Sequence, residues 1–174
     1  MPREGSNSLI QRLLGINPGK LAGGVFAIQE SKPRCIEASV YNPVLCLILQ
    51  GSKETTSHHG TIHLRPGDML VVTHDTPVTA RIIQVPYLAL IVPLDLTRIR
   101  SLPDCLPDLP NPSPDRAGVM RATMADDTLL ETLSRLASLE PGSTDDRVLT
   151  SLLLTELHYR LLNSPAGGML QRLL

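Results

Sequence analysis

Between Pro43 and Pro93 the chain alternates short apolar runs with Gly, Pro, Asp and Ser. Val44–Leu49 is apolar without interruption, the mark of a strand covered on both faces. Gln50-Gly51-Ser52-Lys53 ends that strand, and Thr55-Thr56 leads into a hairpin with Ser57-His58-His59-Gly60 at its tip. Thr61-Ile62-His63-Leu64-Arg65 alternates, and Pro66-Gly67-Asp68 is a tight turn with glycine available for positive φ. Met69–Thr73 is the next strand. Val78, Ala80 and Ile82 then fall on one side of a strand and Thr79 and Arg81 on the other, with Pro86 separating it from Tyr87–Val92. Upstream, Gly24–Glu30 and Arg34–Tyr41 read as two strands around the Ser31-Lys32-Pro33 turn. The pattern predicts antiparallel β-structure, most simply a small barrel or double-sheet roll.

Outside this region the period becomes helical. Ser6-Asn7-Ser8 precedes Leu9, Ile10, Leu13 and Leu14 and predicts a short amphipathic helix over 7–14, stopped by Gly15. Asp95–Leu102 predicts a helical turn or two. Of the thirteen residues from Pro103 to Asp115 five are proline, which neither a helix nor a central strand tolerates. We therefore divide the chain into residues 1–102, a β body with an N-terminal helix; 103–116, a proline-rich connector; and 117–174, a helical region. In the last, Thr123-x-x-Asp126 resembles a capping box. Leu129, Leu130, Leu133, Leu136 and Ala137 form one apolar stripe, ended by Pro141-Gly142. Ser143 or Thr144 caps a second helix, with Asp145 and Asp146 at the positive end of its dipole. Leu149, Leu152, Leu153, Leu157 and Leu161 form a strip, opposite an i,i+4 pair of Glu156 and Arg160. Leu154 and Leu162 widen the apolar surface, so this helix is expected to meet both the β body and a partner. Ser164-Pro165 caps a last short helix that stops on Leu173-Leu174 in mid-pattern, as if the sequence continued.

Composition sharpens the picture. The apolar fraction is 42% but the aromatic fraction only 2%, with no Trp, so the core is aliphatic. Few aromatics and a net charge of −1 without a Lys/Arg run argue against nucleic-acid binding by this stretch alone, which needs stacking rings or a basic stripe. Cys35, Cys46 and Cys105 are an odd set without C-x-x-C spacing, which fits a reducing cytoplasm with Cys46 as a small core residue. No apolar run reaches membrane-spanning length.

The candidate chemistry centres on histidines. His58, His59, His63 and His74 lie within 17 residues, and histidines on a β cup can hold Fe, Mn or Zn. His58 and His59 are adjacent, however, and adjacent strand residues face opposite sides; Glu54 precedes them. His74-Asp75-Thr76-Pro77 sits at a strand end, either as a ligand-binding rim or as an Asx-type turn. Gln50-Gly51-Ser52-Lys53 lacks the phosphate-loop frame, and no Gly-x-Ser-x-Gly nucleophile is present.

The series Asn42–Lys53, Pro66–Val78 and Pro86–Leu90, together with Asp127–Leu136 and Leu152–Leu162, resembles the N-terminal domain of AraC/XylS-type bacterial transcriptional regulators. The resemblance runs over roughly residues 10–174. It implies a mainly β plus α fold, a cupin-like antiparallel β-barrel followed by a helical hairpin. It also implies a small-molecule effector, a homodimer, and contact with DNA only through a C-terminal helix-turn-helix domain absent from this chain, with no cofactor and no enzymatic activity. Candidate effector-binding residues at the barrel interior or rim are Tyr41, Cys46, Ile48, Gln50, His74 and Tyr87. Candidate dimer contacts are Leu149, Leu153, Leu157 and Leu161. Two other readings stay open: a metal-dependent cupin enzyme using His58, His63 and His74, and a ligand-free dimerisation scaffold.

Overall fold

A computed structural model describes residues 4–102 and 118–173. Helix α1 (Glu4–Leu13) leads into strands β1 (Gly19–Lys20), β2 (Phe26–Glu30), β3 (Arg34–Tyr41), β4 (Val44–Ser57), β5 (Gly60–Leu64), β6 (Asp68–Val72) and β7 (Thr76–Pro93). Helix α2 (Leu96–Ser101), strand β8 (Met120–Met124), and helices α3 (Asp127–Ala137), α4 (Thr144–Leu162) and α5 (Gly167–Leu170) follow. All strand pairs are antiparallel, in the order β1-β2-β7-β4-β6-β8, with β3 added to β7 and β5 to β4. The sheet is a cupin-like roll whose hydrogen-bonded order does not close into a complete barrel.

Two long strands build the roll, and neither ends where its turn-type residues suggested. β4 runs for 14 residues straight through Gln50-Gly51-Ser52-Lys53, and β7 runs for 18 through Pro86. The β4–β7 register shifts between Ile48 and Gln50, between Gln50 and Ser52, and between Ser52 and Lys53. Such bulges bend a strand and move its side chains from one face to the other. Gly51, at φ +75°, takes the sharpest of these positions. The consequence can be measured. Cys46 and Lys53 are seven residues apart, about 23 Å along a straight strand and on opposite faces. Here Lys53 Nζ lies 3.9 Å from Cys46 Sγ, so the strand has folded over and changed parity.

The two faces of the sheet carry separate cores. Leu45, Leu47, Leu49, Met69, Val71, Leu88, Leu90 and Val92 pack outward against Ile10 and Leu13 of α1, Leu129, Leu130, Leu133 and Leu136 of α3, and Leu153, Leu157 and Leu161 of α4. Cys46, Ile48, Leu64, Leu70, Val72, Ile82, Tyr87 and Ala89 pack on the inner face. The unbroken apolar run at Val44–Leu49 is therefore explained by cover on both sides.

Several boundaries depart from the sequence reading. α1 starts at Glu4, so Ser6-Asn7-Ser8 lies within the helix. Residues 120–124, placed above in the helical region, form β8, which pairs with β6 from Asp68↔Met124 to Val72↔Met120. Met-Arg-Ala-Thr-Met has little strand signal of its own; β6 supplies the partner for its backbone groups. Thr123 thus lies in a strand, and the N-cap of α3 is Asp126, which accepts from the Leu129 N–H at 2.8 Å. Ser143 caps α4 by accepting from the Asp146 N–H. The connector at 103–116, with Cys105, lies outside the described residues.

Candidate functional site

The inner face does not fill its own space. A cavity of about 380 Å³ opens between β2, β3, β4 and the two halves of β7. Tyr41, Cys46, Lys53, Ile82 and Tyr87 form its inner wall, and Phe26, Ile28, Ile36 and Val40 surround its mouth as exposed hydrophobics. β7 contributes Ile82 from its first half and Tyr87, Ile91 and Pro93 from its second. The even-numbered and odd-numbered residues of one strand can share a wall because the irregularity near Pro86 reverses its parity.

Lys53 is the chemical singularity of this wall. Its residue is 7% exposed, and a lysine that buried is normally paired with a carboxylate. Among the described residues its ammonium instead has Cys46 Sγ at 3.9 Å and the Tyr41 ring centroid at 5.0 Å. Burial works hardest on the Lys53 pKa and lowers it, but Cys46 and Tyr41 together outweigh that and leave it raised, so the group is a cation. Tyr87 is held neutral, its pKa raised first by burial and then by Cys46 and Tyr41. The site can therefore offer one fixed positive charge, two phenols and an apolar surround.

The residues expected from the sequence divide into those brought here and those left elsewhere. Tyr41, Cys46 and Tyr87 line the cavity. Ile48 is fully buried in the inner core beside it without lining the open space. Gln50 sits half-buried among the bulges, paired in register with Leu88. His74 is exposed between β6 and β7 and does not line the cavity, with its Nδ1 2.9 Å from Thr73 Oγ1, and Asp75 accepts from Asn42 Nδ2. Lys53 was missed because Gln50-Gly51-Ser52-Lys53 read as the end of a strand. The available signal was a lysine flanked by strand-type residues on both sides of that glycine.

The histidines do not form a metal centre. The His58 and His59 rings meet at a tilt at the β4–β5 hairpin tip, and His63 on β5 pairs with Glu54 at 3.0 Å. Among the described residues no three His, Cys, Asp or Glu side chains group in a way that could hold a metal ion. Of the expected dimer contacts, Leu153, Leu157 and Leu161 are buried in the chain's own core. Leu149 is exposed, and so are its neighbours Val148, Leu152 and Tyr159 on α4.

A polar clamp fastens the sheet to α4. Directly after β7, the Asp95 N–H donates to His158 Nε2 at 2.9 Å, while His158 Nδ1 lies 2.6 Å from the Leu154 carbonyl. Arg98 of α2 donates to the Ser151 carbonyl and to Thr155 Oγ1. His158, buried and with both nitrogens engaged, was not singled out by the sequence.

The structure is thus a bent roll with an apolar-mouthed cavity on one face and a helical cover on the other. The family model described as AraC-type transcriptional regulator N-terminus matches residues 22–169. The chain belongs to this family, the N-terminal part of AraC-type transcriptional regulators. Among solved structures, apo ToxT K231A from Vibrio cholerae strain SCE256 is similar over 84% of this chain and 58% of its own, at 7% identity and TM-score 0.61. Unsaturated fatty acid-bound wild-type ToxT from the same strain is similar over 87% of this chain and 61% of its own, at 8% identity and TM-score 0.52. The AraC-like transcriptional activator CuxR is similar over 86% and 58%, at 13% identity and TM-score 0.51. The chain thus spans less than two thirds of those proteins. No curated protein matches the sequence. Among the described residues no helix is long and apolar enough to cross a membrane.

Proposed function

We propose that the cavity between β2, β3, β4 and β7 is the effector site, that two copies of the chain pair through α4, and that an intact cytoplasmic regulator passes the effector's signal to a DNA-binding domain. The observation that carries this reading is the open 380 Å³ apolar cavity, within the size range of small-molecule sites. A ligand-free scaffold would gain stability by filling that space with its own aliphatic side chains. A metal-dependent enzyme would need the ligand cluster that the described histidines do not make.

Coupling follows from connectivity. β7 lines the cavity through Tyr87, Ile91 and Pro93 and continues within two residues into Asp95, which with Arg98 holds α4. An effector that favours one position of this wall favours one position of α4, a population shift between two arrangements. The outward side of α4 suits pairing: Val148 is 57% and Leu152 63% exposed, and Val148, Leu152 and Tyr159 at i, i+4 and i+11 share one helical face. A helix apolar on both sides needs cover on both, and a twofold pairing lets one patch cover itself.

The test is a thermal-shift screen of small metabolites, since a ligand of the folded state raises stability by mass action. Ile82→Trp fills the cavity and is expected to abolish any shift; a hit that survives it places the site elsewhere. Leu152→Glu is expected to convert a dimer to a monomer in sedimentation; a strictly monomeric wild type removes the pairing step.

A further inference from the structure

The effector's chemistry can be narrowed, on the reading that this cavity is the effector site. We propose that the effector is a compact amphipathic carboxylate, its acid group on Lys53 Nζ and its apolar part between Phe26, Ile28, Ile36 and Val40. Lys53 carries three N–H donors, and burying a cation without compensating hydrogen bonds is costly. Its neighbours, the Cys46 thiol sulfur at 3.9 Å and the Tyr41 side chain with its ring centroid at 5.0 Å, supply no carboxylate. No described residue lining the cavity is an aspartate or glutamate. The missing counter-charge is what an anionic ligand brings.

The rest of the wall decides what kind of anion. Lys53 is the one Lys or Arg among the described lining residues, so a phosphate dianion would bury a charge without a partner, whereas a monoanion is matched. A sugar would need several polar partners; Ser39, Asn42 and the two tyrosines are the remaining polar groups, and Asn42 is committed to Asp75. The mouth demands an apolar body, because Phe26 is 43% and Val40 55% exposed and a tail lying there removes both from water. At about 30 Å³ per water-sized group, 380 Å³ holds roughly a dozen non-hydrogen atoms, the size of a medium-chain fatty acid or an alkylbenzoate.

The experiment is isothermal titration of the chain with octanoate, decanoate and 4-isopropylbenzoate, against octanamide and octan-1-ol as uncharged counterparts. The acids are expected to bind about ten- to a hundredfold more tightly than the uncharged compounds, the range for a hydrogen bond to a charged group. Lys53→Met, close in shape, is expected to erase that preference; its melting curve verifies folding. Equal binding of acids and neutral compounds, a preference that persists in Lys53→Met, or no binding by any acid in the panel overturns the proposal. The broader reading fails separately. If neutral compounds bind and Ile82→Trp blocks them, the cavity is the effector site and only the carboxylate is wrong; if Ile82→Trp leaves binding intact, the site lies elsewhere.

Discussion

Gly51→Ala tests the bend that creates the site. Gly51 has φ +75°, and a Cβ built there would stand 2.3 Å from the Gln84 carbonyl oxygen, 2.8 Å from the Pro86 carbonyl oxygen and 3.0 Å from Tyr87 Cα. All three are backbone atoms of β7, the strand that carries Tyr87 and Ile82, so no side-chain rotation relieves the clash. The left-handed backbone costs an alanine about 1–2 kcal/mol. Forced separation in a packed region adds about 1–3 kcal/mol, and the stiffer unfolded chain returns about 0.4–1 kcal/mol. The net loss is about 2–4 kcal/mol, or roughly 5–15 °C in Tm for a chain of this size. Urea and thermal denaturation followed by circular dichroism measure it. Gly142→Ala is the control: Gly142 has φ +83° with nothing within 4 Å of the added Cβ, so only the backbone penalty applies. If Gly51→Ala costs no more than Gly142→Ala, the close β4–β7 approach at the bulge is not what the fold depends on.

Leu130, fully buried between α3 and the sheet, is expected to cost about 2–5 kcal/mol when changed to Ala, read as a lower urea midpoint at unchanged slope. Asp126→Ala removes the cap on the Leu129 N–H and the acceptor for Thr128 Oγ1, with an expected loss of about 1 kcal/mol by the same measurement. His158 gives a pH dependence. Burial, the largest cause, lowers its pKa; the Leu154 carbonyl and Asp95 oppose this and Arg98 adds to it. The unfolded chain takes up a proton near pH 6.5 that the folded chain resists, so stability is complete above that pH and falls as the pH drops below it. Stability is expected to fall between pH 7 and 5, and His158→Gln is expected to flatten this slope. Asp95, held below the usual carboxylate range first by the Arg98 N–H, adds its own loss only below about pH 4. An unchanged slope in His158→Gln refutes the assignment.

Most element types were legible in the chain because they depend on neighbours close in sequence. Strand runs, the Ser57–Gly60 hairpin, the Ser143 cap and the α3 stripe are all local patterns, and each is present, although β4 and β7 run on past the turns their residues predict. The outward face of β4 and the leucines of α3 needed no tertiary knowledge to be assigned to a core. What faces the cavity did. Side-chain parity along β4 and β7 reverses at bulges that exist only because these two strands pair with each other, so Lys53 turns inward although its own neighbours predict a turn. α4 carries leucine on more than one side, and its sequence does not say which side meets its own sheet; packing against α3 and β7 buried Leu153, Leu157 and Leu161 and left Leu149 and Leu152 outside. β8 has almost no signal of its own, and β6, some fifty residues earlier, makes it a strand. Period and capping are short-range properties, whereas facing and pairing are decided between segments far apart in the chain, and the position of the buried Lys53 belongs to the second kind.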